Sequence, residues 1–242
     1  MSERRRDGDK EKVDELTSSS FLSFPFLATL MNASSEKDIV FGSSTTALIT
    51  NLAYSLENGG WLDEGDEIIV TDADHEGELV LSSSPLPTHC LFPPPSLSSR
   101  DTILTLPSPF HLANIGPWLR LARNRKCTIK FWKTTITPTL TGSTLELSTL
   151  APLLSSKTRI VAFTACSNIL GQAIPIKEVV DLVREKTGGL AKTLVDCVAF
   201  SPHQRMDVTG WGVDFAVFSY YKVSEVPPSL VSVACGTLDE AR

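Results

Sequence analysis

The sequence lacks the marks of several large protein classes. Its five cysteines are scattered without a CxxC pair, which argues against a disulfide framework and a zinc site and is typical of a reducing compartment such as the cytoplasm. No apolar run approaches the roughly 20 residues of a membrane helix. With 22 basic against 28 acidic residues, the chain is not expected to bind nucleic acid. No GxGxxG follows a predicted strand, which argues against a dinucleotide-binding domain.

What remains is an ordinary globular composition, with 42% hydrophobic residues in 242 and enough length for a sizeable core. Short apolar runs alternate with segments whose apolar residues recur at helical spacing. The predicted strands are 38–41, 67–70, 128–132, 159–164, 193–195 and 215–218. The predicted helices are 47–56, 117–123, 145–154 and 176–186. This alternation predicts an α/β domain with a mostly parallel sheet.

Three segments show neither the helical spacing of apolar residues nor the short apolar runs of strands. Residues 1–31 begin with a mixed charge run and are predicted to form a poorly ordered arm, although its apolar end, 21–31, is expected to pack on the domain rather than to be a secretory leader. Residues 77–112 form a low-complexity insert rich in proline and serine, and 224–242 form a tail. The expected domain is therefore 32–223, interrupted by 77–112.

Polar residues follow two of the predicted strands. Asp196 comes directly after one apolar run, and Lys222 follows the next one in the chain. Ligands bind open α/β sheets at the carboxyl ends of the strands. A lysine that forms a Schiff base and an acid that holds a ring nitrogen protonated are the groups that pyridoxal phosphate (PLP) uses, so this pair predicts that cofactor.

Two other segments favour the same edge. Gly42 and the hydroxyl residues Ser44, Thr45 and Thr46 join a strand to a helix, an arrangement that presents backbone amides to an anion. Helix capping alone would also explain these hydroxyls. His75 lies just past the strand 67–70, where a structural imidazole and one stacked on a planar ligand are both consistent with the sequence.

Five segments then occur in one order along the chain. They are GSSTT at 42–46, DADH at 72–75, NIGPW at 114–118, SNILGQAIPI at 167–176, and VDxxxxxPHxxxDVxxxGVDFxVFSYYK at 195–222. Together they resemble the class V aminotransferases of the cysteine desulfurase-like type, which are fold-type I PLP-dependent enzymes. The resemblance implies a three-layer α/β/α fold, the large domain of fold-type I transferases, and an amino acid as substrate.

The resemblance also implies catalytic roles. Lys222 matches the lysine of the internal aldimine, and Asp196 matches the acid that pairs with the pyridinium nitrogen. His75 matches the imidazole that stacks over the ring, and Asn168 the amide that contacts its phenolic oxygen.

The phosphate group has its own matching set. Ser44, Thr45 and Thr46 correspond to the phosphate-binding turn, and Ser219 commonly reaches the phosphate as well. Tyr221 occupies a position often held by histidine, where it can form a similar hydrogen bond.

The chain also departs from the family. Relatives continue well past the lysine, through a small domain that holds the substrate-binding arginine and a persulfide-carrying cysteine, whereas the tail 224–242 resembles nothing in them and Cys235 is not expected to be that cysteine. We therefore expect an incomplete PLP-dependent enzyme domain, a homodimer by resemblance, or alternatively an inactive pseudo-enzyme or binding module.

The insert and the tail share one further property. Gly77-Glu78 and Val223-Ser224 can both be encoded by splice-donor sequences, so 77–112 and 224–242 are hypothesised to be translated introns. Sequencing of the spliced transcript tests this.

Overall fold

The computed structural model describes residues 24–72, 115–136, 143–167, 171–223 and 232–236. Within them the strands are β1 Ile39–Gly42, β2 Glu67–Thr71, β3 Thr128–Trp132, β4 Thr135–Ile136, β5 Ser143–Thr144, β6 Thr158–Thr164, β7 Lys192–Asp196, β8 Phe215–Ser219 and β9 Ser232–Gly236. Seven of them form one sheet in the order β1-β9-β8-β7-β6-β2-β3, and β4 pairs with β5 separately.

The main sheet is mostly parallel. Strands β3, β2, β6, β7 and β8 pair in parallel, while β9 is antiparallel to both of its neighbours, β8 and β1. Because β9 reverses the direction twice, β1 runs the same way as β8. The carboxyl ends of β1, β2, β6, β7 and β8 therefore meet at one edge of the sheet, as the sequence predicted for its α/β class.

Helices cover both faces of this sheet. They are α1 Phe24–Met31, α2 Thr45–Asn58, α3 Gly116–Arg125, α4 Leu147–Leu150, α5 Ile176–Thr187 and α6 Val208–Trp211. Successive strand residues point to opposite faces. Ile68 and Val70 accordingly join the core under α2 and α3, whereas Ile69 joins the core under α1 and α5. Two apolar cores separated by one sheet confirm the three-layer α/β/α architecture.

Local sequence sets most of the element ends. Ser44 accepts the Ala47 N–H at 3.1 Å and begins α2, and Gly188 ends α5 with a φ of 65° that suits glycine. The helix predicted over 145–154 is shorter than expected: α4 ends at Leu150 and gives way to a 3₁₀ turn, Ala151–Leu153. Pro152 has no N–H to continue an α-helical ladder, which explains this correction.

The structure has one further element on either side of the expected domain 32–223. Helix α1 lies within the predicted arm 1–31, and its Leu27 and Met31 are fully buried in the core, as expected of an apolar segment that packs on the domain. Strand β9 lies within the predicted tail and fills the position between β1 and β8. Among the described residues, no helix is both long and apolar enough to cross a bilayer.

Candidate functional site

Polar side chains end four neighbouring parallel strands at the carboxyl edge. Thr71, Thr164, Asp196 and Ser219 are the last residues of β2, β6, β7 and β8, and all four are buried. Buried polar groups are costly unless they are hydrogen-bonded, so this edge has a dense set of donors and acceptors. Thr164 is a member of this set that the sequence interpretation left out, although its place at a strand end could have indicated it.

Asp196 lies in the middle of this edge. It pairs with Thr164 on β6 and Val217 on β8, and only 6% of the residue is exposed. Its Oδ1 accepts the Val198 N–H at 2.8 Å. The carboxylate therefore also stabilises the turn that follows β7.

Two cysteines adjoin this edge without the character of nucleophiles. Burial, and then the neighbouring Asp196 charge, raise the pKa of the fully buried Cys197 well above its ordinary value. Burial also raises the pKa of Cys166, which is half-buried after the end of β6. Both thiols stay protonated near neutral pH, and a protonated thiol is a poor nucleophile.

The N-terminus of α2 reaches the same edge because β1 turns into it within two residues. At Gly42 a side chain would clash, since a Cβ there would lie 2.5 Å from Cγ of Leu48. The glycine thus lets the first turn of α2 return closely over the strand end. The first backbone amides of a helix have no partner within the helix and carry partial positive charge, which suits an anion.

A buried hydrogen bond joins α2 to β8. Thr45 Oγ1 and Ser219 Oγ are 2.8 Å apart, although 174 positions separate the two residues in the chain. Gly42 and Ser219 also lie level with each other, because both pair with Ser232 of β9. No local sequence pattern indicates this contact, which the sequence interpretation missed.

Lys222 lies three residues after Ser219. It ends a 3₁₀ turn, Tyr220–Lys222, that continues from β8. Tyr220 is buried and anchors this turn, whereas Tyr221 is 44% exposed and Lys222 is exposed. The turn thus places Lys222 just past the carboxyl end of β8, the strand adjacent to the one that Asp196 ends.

Two predicted site residues lie outside the described residues, namely His75 and Asn168. Before His75 the described residues end at Asp72, whose Oδ1 accepts the Thr134 N–H at 2.8 Å, and before Asn168 they end at Ser167, three residues past β6. The assignments of His75 and Asn168 stay predictions.

The fold and this edge define a class: a three-layer α/β/α protein whose strand ends carry an acid, a lysine-bearing turn and a helix N-terminus. The family model described as aminotransferase class-V matches residues 26–84 and 88–237, and the chain belongs to that family. Because the match extends to residue 237, the expectation of an unrelated tail from 224 is wrong for most of that segment.

Curated relatives are similar to this chain over most of its length. The chain is 38% identical over 187 residues to the aminotransferase-like protein FGM3 of Gibberella zeae, and the aligned region covers 77% of this chain and 35% of that protein. It is 30% identical over 197 residues to a cysteine desulfurase of Serratia proteamaculans, covering 81% of this chain and 37% of that protein. The chain spans about a third of the length of these relatives.

Solved structures share the fold. The cysteine desulfurase CsdA of Escherichia coli superposes with a TM-score of 0.67 at 22% identity, over 93% of this chain and 44% of that one. A variant of C-DES with glycine covalently linked to its PLP cofactor superposes with a TM-score of 0.65 at 19% identity, over 94% of this chain and 47% of that one.

Proposed function

We propose that this chain forms the cofactor-binding domain of a PLP-dependent enzyme of the cysteine desulfurase-like type, acting on an amino acid through Lys222. The observation that carries this function is a junction at one sheet edge. Asp196 ends β7, Ser219 ends the adjacent β8, and the Thr45–Ser219 hydrogen bond ties the N-terminus of α2 to that strand end. Relatives named as cysteine desulfurases and a neighbour with a linked PLP cofactor support the same function.

The donor set fits PLP at three places. A buried carboxylate suits a protonated pyridine nitrogen, helix amides with nearby hydroxyls suit a phosphate, and an exposed lysine suits an aldehyde. When bound, PLP supplies an aldehyde that condenses with amines and a cationic ring that accepts electrons from a substrate carbon.

Asp196 has the task of holding a proton on the ring nitrogen. Its Oδ1 accepts the Val198 N–H at 2.8 Å, so the carboxylate has a fixed direction. An amide in its place would have the same shape without the charge, and the ring nitrogen would lose its proton more readily.

Lys222 would have two tasks. Its exposed side chain would hold the cofactor through the aldehyde. When not joined to the cofactor, Nζ of Lys222 would accept and return a proton at the α carbon of the substrate.

We assign the phosphate to the first turn of α2 with Ser44, Thr45 and Thr46, and to Ser219. We carry three further roles from the resemblance: stacking by His75, contact with the phenolic oxygen by Asn168, and a hydrogen bond near the phosphate from Tyr221. A homodimer with the site near the subunit boundary belongs to the same proposal.

Covalent trapping tests this function. The purified chain is incubated with one equivalent of PLP, reduced with borohydride, digested, and mapped by mass spectrometry. We expect the reduced cofactor on Lys222, none there in Lys222→Ala, and wild-type labelling in Lys37→Ala, which removes another exposed lysine.

Labelling spread over exposed lysines with no preference for Lys222 would overturn the proposal. So would a folded wild-type chain that acquires no PLP at all. That second result would favour the alternative of a non-catalytic binding module.

A further inference from the structure

Thr164 has a buried hydroxyl to which the proposed function assigns no role. It is the last residue of β6, it pairs with Asp196 of β7, and only 5% of it is exposed. Its Oγ1 donates to the Cys166 carbonyl at 2.9 Å and lies 3.5 Å from the Asp196 carbonyl oxygen. The hydroxyl thus contacts the backbone at two neighbouring strand ends, and its shorter bond is to its own chain two residues ahead.

The shorter bond fixes the path of the chain as it leaves β6. A hydroxyl that bonds a carbonyl two residues ahead holds the backbone between them in a turn. Ala165 lies between these two residues, and its N–H donates to the Asp196 carbonyl at 2.8 Å. The Ala165 carbonyl in turn accepts the Ile174 N–H at 2.8 Å. Thr164 therefore stabilises the residue through which β6 holds the end of β7.

The peptide group that follows Asp196 is bonded on both of its sides. Its carbonyl oxygen accepts the Ala165 N–H, and its N–H, which belongs to Cys197, donates to the Val217 carbonyl of β8 at 2.8 Å. One residue further on, the Val198 N–H donates to Asp196 Oδ1 at 2.8 Å. The direction of the carboxylate thus depends on backbone that the two neighbouring strands hold in place.

We propose that Thr164 is a positioning residue that fixes the Asp196 carboxylate through Ala165. This inference rests on the proposed function, in which that carboxylate bonds the ring nitrogen of PLP. A charge-assisted hydrogen bond is short and directional, so a carboxylate that is held in place before the ligand arrives binds it more tightly than a mobile one. Valine at this position would keep the shape of the side chain, but the Cys166 carbonyl would lose its hydroxyl donor and the turn at Ala165 its restraint.

The test compares two ligands that differ at the ring nitrogen. Affinities for PLP and for its carbocyclic analogue, in which carbon replaces that nitrogen, are measured by fluorescence titration. The variants are Thr164→Val, Thr164→Ser, which keeps the hydroxyl, Asp196→Ala, and the double variant Thr164→Val with Asp196→Ala. Should Thr164→Val fail to fold, Thr164→Ala removes the hydroxyl without adding a methyl group.

Thr158→Val is the matched control. Thr158 is a fully buried threonine of the same strand, and its hydroxyl donates to Glu67 Oε2 at 3.1 Å at the opposite, amino edge of the sheet. Its removal tests whether any lost threonine hydroxyl in β6 weakens ligand binding.

We expect Thr164→Val to weaken PLP binding roughly three- to tenfold, the size of one hydrogen bond, and to change binding of the analogue less than about twofold. Thr164→Ser should keep most of the affinity for PLP, and Thr158→Val should keep all of it. Once Asp196 is alanine, Thr164→Val should have no further effect on PLP binding, because its action passes through the carboxylate.

Equal losses for PLP and for the analogue would reduce Thr164 to a general structural role and overturn the inference. Losses that add to those of Asp196→Ala would also overturn it, because they indicate a route other than the carboxylate. Wild-type PLP affinity in Thr164→Val would overturn the inference while the proposed function stands. A folded wild-type chain that binds neither ligand would overturn both.

Discussion

Charged side chains have different surroundings at the two edges of the sheet. At the amino edge, where the parallel strands begin, acids pair with bases: Glu67 with Lys130 at 2.8 Å, and Asp214 with Lys192 at 3.0 Å. At the carboxyl edge, the Asp196 carboxylate accepts a backbone N–H and the Lys222 side chain is exposed. Acids and bases therefore stabilise the sheet at its amino edge, whereas in the proposed function an acid and a lysine bind a ligand at its carboxyl edge.

The largest expected effect is a loss of stability at the amino edge. Asp214 accepts hydrogen bonds from Lys192 Nζ and from both the N–H and the hydroxyl of Thr193. Asp214→Ala leaves a largely buried ammonium without its partner, so we expect the free energy of unfolding in urea to fall by roughly 2–4 kcal/mol.

Asp181→Ala is the matched control, because it breaks an exposed pair with Lys177 and should cost less than about 0.5 kcal/mol. Below its melting temperature, Asp214→Ala should still bind PLP. If the two variants lose the same stability, or if Asp214→Ala alone loses PLP binding, the division between the edges is wrong.

The next effect concerns ligand binding at the carboxyl edge. Asp196→Asn keeps an oxygen that accepts the Val198 N–H but removes the charge. We expect PLP affinity to fall about 10- to 100-fold, since a hydrogen bond to a charged group contributes about 1.5–3 kcal/mol. The unfolding free energy of the cofactor-free chain should change by less than about 1 kcal/mol.

Fluorescence titration with PLP and urea unfolding measure both quantities for Asp196→Asn and for Asp214→Asn. The two variants should show opposite patterns, one in binding and one in stability. Unchanged PLP affinity in Asp196→Asn would remove the functional half of the comparison.

The smallest effect is a pH dependence at the amino edge. Burial alone would raise the pKa of Glu67, but hydrogen bonds from Lys130, Ser155 and Thr158 outweigh it and lower that pKa. A carboxyl whose pKa is lower in the folded than in the unfolded chain adds stability that is fully present above its ordinary value near 4.5 and is lost as the pH falls through the folded value.

Glu67→Gln should therefore lower the unfolding free energy at pH 7 and flatten its decline below about pH 4.5. Urea unfolding between pH 3 and pH 7 checks both points. A variant with an acid limb as steep as that of the wild type would show that Glu67 does not carry this dependence.

The sequence predicted the architecture well because local patterns encode it. The buried strands before Asp196 and Ser219 are continuous apolar runs, and they pair in parallel as expected. The helix predicted over 176–186 is observed as α5, Ile176–Thr187, one residue longer. It could be predicted because Val179, Val180 and Val183 recur at helical spacing and form its buried face.

The rest depends on contacts that no local pattern contains. Helix α1 is apolar enough to be buried but follows a charged segment, and β9 exists as a strand through its pairing with β1 and β8. The Thr45–Ser219 bond joins two segments 174 positions apart, so no local pattern could indicate that these two predicted phosphate ligands contact each other.

A crystal structure of the chain with PLP tests most directly whether the carboxyl edge between β7 and β8 binds PLP. We predict the ring nitrogen within about 3 Å of an Asp196 carboxylate oxygen, the aldehyde carbon joined to Nζ of Lys222, and the phosphate at the N-terminus of α2. PLP bound elsewhere, or with Asp196 and Lys222 out of reach of its ring, would contradict the claim.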